Sequence, residues 1–157
     1  MGVDASIILH HAISVGLTHA SPVVLQCIAE KLHSKTANVF EWPDALFLAI
    51  ESTFMRCILW IRQECFAIPV LVFDGAVPPA KGSEKEQRLA RCAAAFEEAC
   101  KSNEDKVRDK HFRASLFVTW DMVQYAMSIC MRERVEYYVA ITEADVQLAH
   151  MCKQKEI

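Results

Sequence analysis

Ile68-Pro69-Val70-Leu71-Val72-Phe73-Asp74-Gly75 is the stretch on which the reading of the chain turns. From Val70 to Phe73 it is β-branched and aromatic with no polar alternation, and it stops at Asp-Gly. A strand open to water on one side alternates apolar and polar residues. An unbroken apolar run of this length marks a strand covered on both faces. Helical patterns flank it. Upstream, Pro22 to Leu32 follows Ser21 and aligns Val24, Ile28 and Leu32 four apart. Pro43 sits as a first helical residue, and from Asp44 onward Ile50, Phe54, Ile58 and Ile61 recur at three or four. Downstream, Val77-Pro78-Pro79-Ala80 is extended as far as Gly82. Ser83 with Glu86 reads as a capping box, opening a helix whose Leu89, Ala93, Phe96 and Cys100 share a face.

Three further segments read as strands: Gly2 to Ser6, with a loop at Asp4, then Ala114 to Val118, then Val135 to Val139. Thr119 is placed to cap a helix carrying Met122, Val123, Ala126, Met127 and Cys130. Thr142, in a capping box with Asp145, opens a last helix through Met151. Ser34 to Trp42 reads as a polar loop and Lys101 to Arg113 as a charged connection. Four strands separated by helices predict a three-layer α/β/α domain with a mostly parallel central sheet. There is no repeat and no low-complexity tract, so residues 1–157 read as a single domain.

Composition narrows the function. Apolar residues make up 53% of the 157, enough for each helix to bury one face. Seventeen basic against twenty acidic residues give a net charge of -3, which excludes a general polycation but not a local basic patch beside an acidic site. Seven cysteines, none spaced C-x-x-C, read as reduced core residues of an intracellular protein. The longest apolar run, Cys65 to Phe73, is too short for a membrane span, and no secretory signal opens the chain. Gly2 with Ser6 matches a myristoylation signal only superficially. Trp42, Trp60 and Trp120 read as packing groups.

Three of the strand candidates end in acid: Asp4 after Val3, Asp74 after Phe73, and Glu143 with Asp145 shortly after Val139. In an open parallel sheet, ligands collect beyond the carboxyl ends of the strands. Carboxylates brought together there repel one another unless a hard cation neutralises them, and oxygen-only ligands suit magnesium or manganese. Each acid also has an ordinary reading. Asp74-Gly75 is a common turn, Asp145 can complete the capping box, Glu143 complements a helix dipole, and Asp4 can bond its own loop. Coincidence at equivalent strand ends is what favours the metal site.

These segments resemble the flap endonuclease and exonuclease superfamily of structure-specific 5′ nucleases, which includes the XPG repair nuclease. Gly2-Val3-Asp4-Ala5-Ser6 looks like its first metal-binding strand. Ile68 to Gly75, followed by Pro78, Pro79 and Lys81, looks like its second. Val135 to Ala140 leads into Glu143-Ala144-Asp145, similar to the motif that supplies two further carboxylates. The resemblance implies a PIN-like fold in which Asp4, Asp74, Glu143 and Asp145 bind metal directly or through water. It implies two magnesium ions, replaceable by manganese, and hydrolysis of phosphodiester bonds near 5′ ends, flaps or junctions of DNA. Lys81 and Arg88 match the family's two basic residues facing the scissile phosphate, and both can offset charge on a pentacovalent phosphorus. His10 stands where relatives place a ring that stacks on a nucleobase. A nuclear location and a role in DNA repair follow from the same likeness.

The chain also departs from the pattern. It begins almost at the first acid, it is longer between Asp4 and Asp74, and it stops at Ile157. The family's later aspartate pair and helix–two-turn–helix element therefore lie beyond it. The expectation is an incomplete nuclease domain, calling for a C-terminal half or a complementary subunit. The alternative is a catalytically inactive nucleic-acid or protein-interaction module that kept the fold. A phosphatase or nucleotidyl enzyme is a third reading, disfavoured because the chain has no Gly-rich phosphate loop.

Overall fold

The protein is described by a computed structural model covering residues 1–34, 42–154 and 157. Its elements run β1 (Gly2–Asp4), α1 (Ala5–His11), a π-helical turn (Ala12–Gly16), α2 (Pro22–His33), α3 (Asp44–Gln63), β2 (Val70–Phe73), a 3-10 turn (Pro79–Lys81), α4 (Gly82–Lys101), α5 (Asp105–Ala114), α6 (Trp120–Arg132), β3 (Glu136–Val139) and α7 (Ala144–Gln154). The strands form one parallel sheet in the order β1-β2-β3. Val3 lies opposite Leu71, and Leu71 opposite Tyr137. The parallel sheet expected from the sequence is therefore present, but small, and helix dominates the molecule.

Burial explains why β2 is central. All four of its residues are buried, and their alternating side chains enter two separate cores. Leu71 and Phe73 join the large cluster with Leu9 of α1, Phe54 and Ile58 of α3, and Ile129 of α6. Val70 and Val72 point the other way, to Ala144, Met151 and Leu148 of α7. Helices thus flank the sheet on both faces, with one helix, α7, on the second.

Local chemistry sets the helix ends. Asp4 is the N-cap of α1, accepting from the amide of Ser6 at 2.7 Å and that of Ile7 at 3.4 Å. Ser21 caps α2 as its sequence suggests, with Pro22 in the first turn. At the end of α6 the amide of Val135 bonds the carbonyl of Cys130 and that of Arg134 bonds Met131, while Arg134 takes φ 52°. This is a Schellman ending in which a glycine position is filled by arginine.

Several expectations are corrected. Among the described residues three strands form, not four. Ala114 to Val118 is the end of α5 followed by irregular backbone, held by the carbonyl of Ser115 against His33 Nε2 at 3.1 Å and that of Leu116 against Cys92 Sγ at 3.9 Å. Lys101 to Arg113 is not a connection: most of it is α5, which buries Phe112 and packs on α4 and α2. Helix α4 starts at Gly82 with Lys81 as its N-cap, so Ser83 lies inside the helix and caps nothing. Thr119 is the N-cap of α6 by position, but its side chain makes no capping bond. Ser34 and Trp42 flank the expected polar loop, whose residues 35–41 lie outside those described.

Candidate active site

Asp74 follows the last residue of β2, and its placement is fixed by two tight contacts. The Gly75 amide donates to the carbonyl of Thr142 at 2.6 Å, and that of Ala76 to Ile141 at 3.1 Å. A Cβ on Gly75 would fall 1.8 Å from the carbonyl oxygen of Ala140, so glycine is required to let the two strand exits touch. Asp74 Oδ1 then accepts the amide of Ala144 at 2.8 Å, across 70 residues of sequence. The opening of α7 is therefore capped by the acid of β2, in place of the Thr142–Asp145 capping box expected from the sequence, which does not form.

A cleft of about 380 Å³ opens beyond these strand ends. Its wall includes Ser6, His10, Asp74, Lys81, Arg88 and Glu143. Five of the seven candidate site residues are thus brought to one space from β2, α1, α4 and the turn before α7. Lys81 Nζ reaches Glu143 Oε1 at 2.5 Å, a bond that holds the lysine pKa above its ordinary value. Arg88 approaches Glu84 one turn back at 3.8 Å.

Asp4 and Asp145 stand apart from the cleft wall. Asp4 is half-buried at the top of β1, and Asp145 is exposed on the first turn of α7 beside Val146, Ala149, His150 and Lys153. Charge still couples them to the site. The Asp4 carboxyl is pushed up, first by burial, against the lowering bond from Ser6, and then by the charges of Asp74 and Asp145. His10 is pushed down by desolvation and then by Arg88, while Asp4 and Asp74 pull it up.

Whether these acids suit a metal ion can be tested on their chemistry and their geometry. The donors are all oxygen, which suits magnesium. Asp4 and Asp74 each spend one oxygen on backbone amides, leaving the other without a hydrogen-bond partner among the described residues. Yet no three His, Cys, Asp or Glu side chains among the described residues stand close enough to form a preformed cage. Magnesium ordinarily takes one or two carboxylates completed by water, and the described acids offer no more than that.

The sequence reading passed over other residues of the same cleft. Ser6 Oγ accepts the amide of Asp74 at 3.4 Å, joining the exits of β1 and β2. Lys85, Leu89, Phe117, Val118, Thr119 and Trp120 also line the space. Trp120, expected to pack, is 57% exposed, and Trp60 is 54% exposed; only Trp42 is buried. Trp120 is the first residue of α6, directly after the Thr119 cap position, and a bulky aromatic at a helix start was the signal available.

Compared with known proteins, the chain is similar to flap endonucleases. It is 29% identical over 117 residues to Flap endonuclease 1 of Enterocytozoon bieneusi, a match covering 73% of this chain and 32% of that protein. It is 36% identical over 89 residues to Flap endonuclease 1 of Pyrobaculum islandicum, covering 55% of this chain and 26% of the relative. The corresponding protein of Pyrobaculum neutrophilum is 35% identical over the same length. The homology is weak and low in identity, and it reaches distant organisms. The chain spans between a quarter and a third of the length of these curated relatives. No protein-family model matches it.

Proposed function

We propose that this PIN-like domain carries one side of a magnesium-dependent active site that hydrolyses phosphodiester bonds in 5′-ended or branched DNA. The observation that carries the reading is the convergence of Asp74, Glu143, Lys81, Arg88 and His10 on one cleft beyond the strand ends. Similarity to flap endonucleases supports the reaction class.

In this reading Asp74 and Glu143, assisted by Asp4 and Asp145, would hold the ions. A bound magnesium supplies a polarised phosphoryl oxygen and a more acidic water. The protein's own part is electrostatic and positional. Carboxylates held by α1 and α7 amides cannot swing away, so the negative oxygens wait at fixed places. Lys81, tied to Glu143 before substrate arrives, has an exposed flexible stem and can turn to a phosphate. Arg88, two helical turns on, offers a planar fork to the same group. His10, whose pKa burial and then Arg88 hold below its ordinary value, presents its ring to a base.

Asp74→Asn tests this directly. The amide oxygen of asparagine still caps Ala144, so the fold should persist, while magnesium-dependent cleavage of a 5′-flap duplex falls by at least about a hundredfold. Unchanged turnover removes Asp74 from the reaction.

A second reading has its own observation: the missing preformed cage among the described residues, with Asp74 and Glu143 already engaged by Ala144 and Lys81. It treats the domain as a noncatalytic nucleic-acid or protein-interaction module. DNA binding by the wild-type protein with no cleavage in magnesium or manganese would favour it.

A further inference from the structure

The cleft holds more than its acidic end requires. Helix α4 runs along it, and its contacts give the direction. Lys81, at its start, bonds Glu143, while Cys92, eleven residues later, meets the carbonyl of Leu116. At the rise of an α-helix, those points are about 16 Å apart. Between them lie Lys85, Arg88 and Leu89 on α4, with Arg88 acting electrostatically on both His10 and Cys92. The far wall is therefore built by the segment that follows α5 and by the start of α6.

That wall is apolar and aromatic. Phe117 is braced from behind by His33, ring edge to face at 5.5 Å, and His33 in turn stacks on Phe96 at 4.6 Å. Trp120, also in the wall, keeps more than half of its surface in solvent. Thr119 Oγ1, between them, is buried and has no hydrogen-bond partner among the described residues. A phosphate gains nothing from such a wall. A flat heterocycle gains a stacking partner, and it follows a phosphate when both belong to one nucleotide chain.

We infer that Trp120 is a stacking platform for an unpaired base of single-stranded DNA, with Lys85 and Arg88 neutralising the adjoining phosphates. The inference rests on the nucleic-acid reading above and adds to it the residue that grips the strand outside the acidic end. Each stacked base contributes enough to change affinity by roughly five- to a hundredfold, and every base has a π-face, so this contact tolerates any sequence.

The test uses the full chain in EDTA at low salt, with a short oligothymidylate and a fully abasic oligomer of the same phosphate number, binding being read by fluorescence anisotropy. The wild-type protein should hold the oligothymidylate about tenfold more tightly than the abasic strand. Trp120→Ala should remove that difference by weakening only the oligothymidylate, and Trp120→Phe should retain most of it. Equal affinity of the wild-type protein for the two strands overturns the inference, and this comparison needs no variant to fold. So does a Trp120→Ala protein that keeps the difference, or one that loses affinity equally for both strands. Because no metal is present, a failure here with metal-dependent cleavage intact leaves the proposed reaction standing. Absence of binding to either strand overturns both.

Discussion

Strands β2 and β3 lie side by side in parallel register, yet they are built on different terms. Every residue of β2 is buried, with cores on both faces. In β3, by contrast, Glu136, Tyr138 and Val139 are exposed, and α7 packs on β1 and β2 beside it. The first strand is fixed by the hydrophobic effect; the second is fixed chiefly by its ladder with β2 and by the turn beyond it, where Gly75 meets Thr142. Both deliver an acid to the cleft. The lesson is that a residue of the cleft need not stand on a deeply buried strand if a neighbouring strand's exit holds its turn in place.

Breaking that join should have the largest effect. Gly75→Ala drives a methyl into the Ala140 carbonyl, and denaturant unfolding should show a loss of about 3 kcal/mol or more. A loss under about 1 kcal/mol would mean that the two exits separate easily. The strands themselves come next. Leu71→Ala in β2 should cost about 2–5 kcal/mol, whereas Val139→Ala in β3, nearly half exposed, should cost less than about 1 kcal/mol. Similar costs at both sites would erase the contrast.

A finer cut falls on the caps. Asp74→Ala leaves the Ala144 amide without its acceptor and should cost about 1 kcal/mol, while Asp74→Asn should leave stability nearly unchanged. At Asp4 the sign reverses. Its carboxyl is raised in the fold, so the folded chain holds that proton more tightly than the unfolded one. Stability from this group is present below the ordinary value of 3.8 and is lost as pH rises through the folded value. Asp4→Asn keeps the α1 cap and removes the unfavourable charge. Its melting temperature should equal or exceed wild type by up to about 2 °C at neutral pH, and the advantage should vanish below pH 3.8. A lower melting temperature at neutral pH would show the charge to be stabilising.

How far this was legible in the sequence depended on which force shaped each part. Val70 to Phe73 could be read because continuous burial leaves an unbroken apolar run, and Ser21-Pro22 because capping chemistry is local. Helix α5 was missed because its ten residues are polar almost all round and bury little beyond Phe112; the Asp105–Arg108 pair and the basic His111 and Arg113 in its last turn were the available signs. Leu116 to Val118 has strand-forming residues, but ladder pairing is a tertiary property, and among the described residues no strand pairs with it. At the site, the acids were visible as strand endings. Asp74 capping α7 was not, since an amide 70 residues away leaves no mark on local sequence. Trp120 reads as a packing group because composition does not say which way a ring faces, yet its ring stands largely in solvent.

The central claim is that acids from separate strand exits share a divalent cation. Calorimetric titration with manganese addresses it most directly, comparing the wild-type protein with Asp74→Asn and with the Asp4→Asn, Asp74→Asn double variant. Saturable binding by the wild type, weakened at least about tenfold by the single change and lost in the double, is the expected result. Binding of equal strength in all three proteins, or no binding in the wild type, would contradict it.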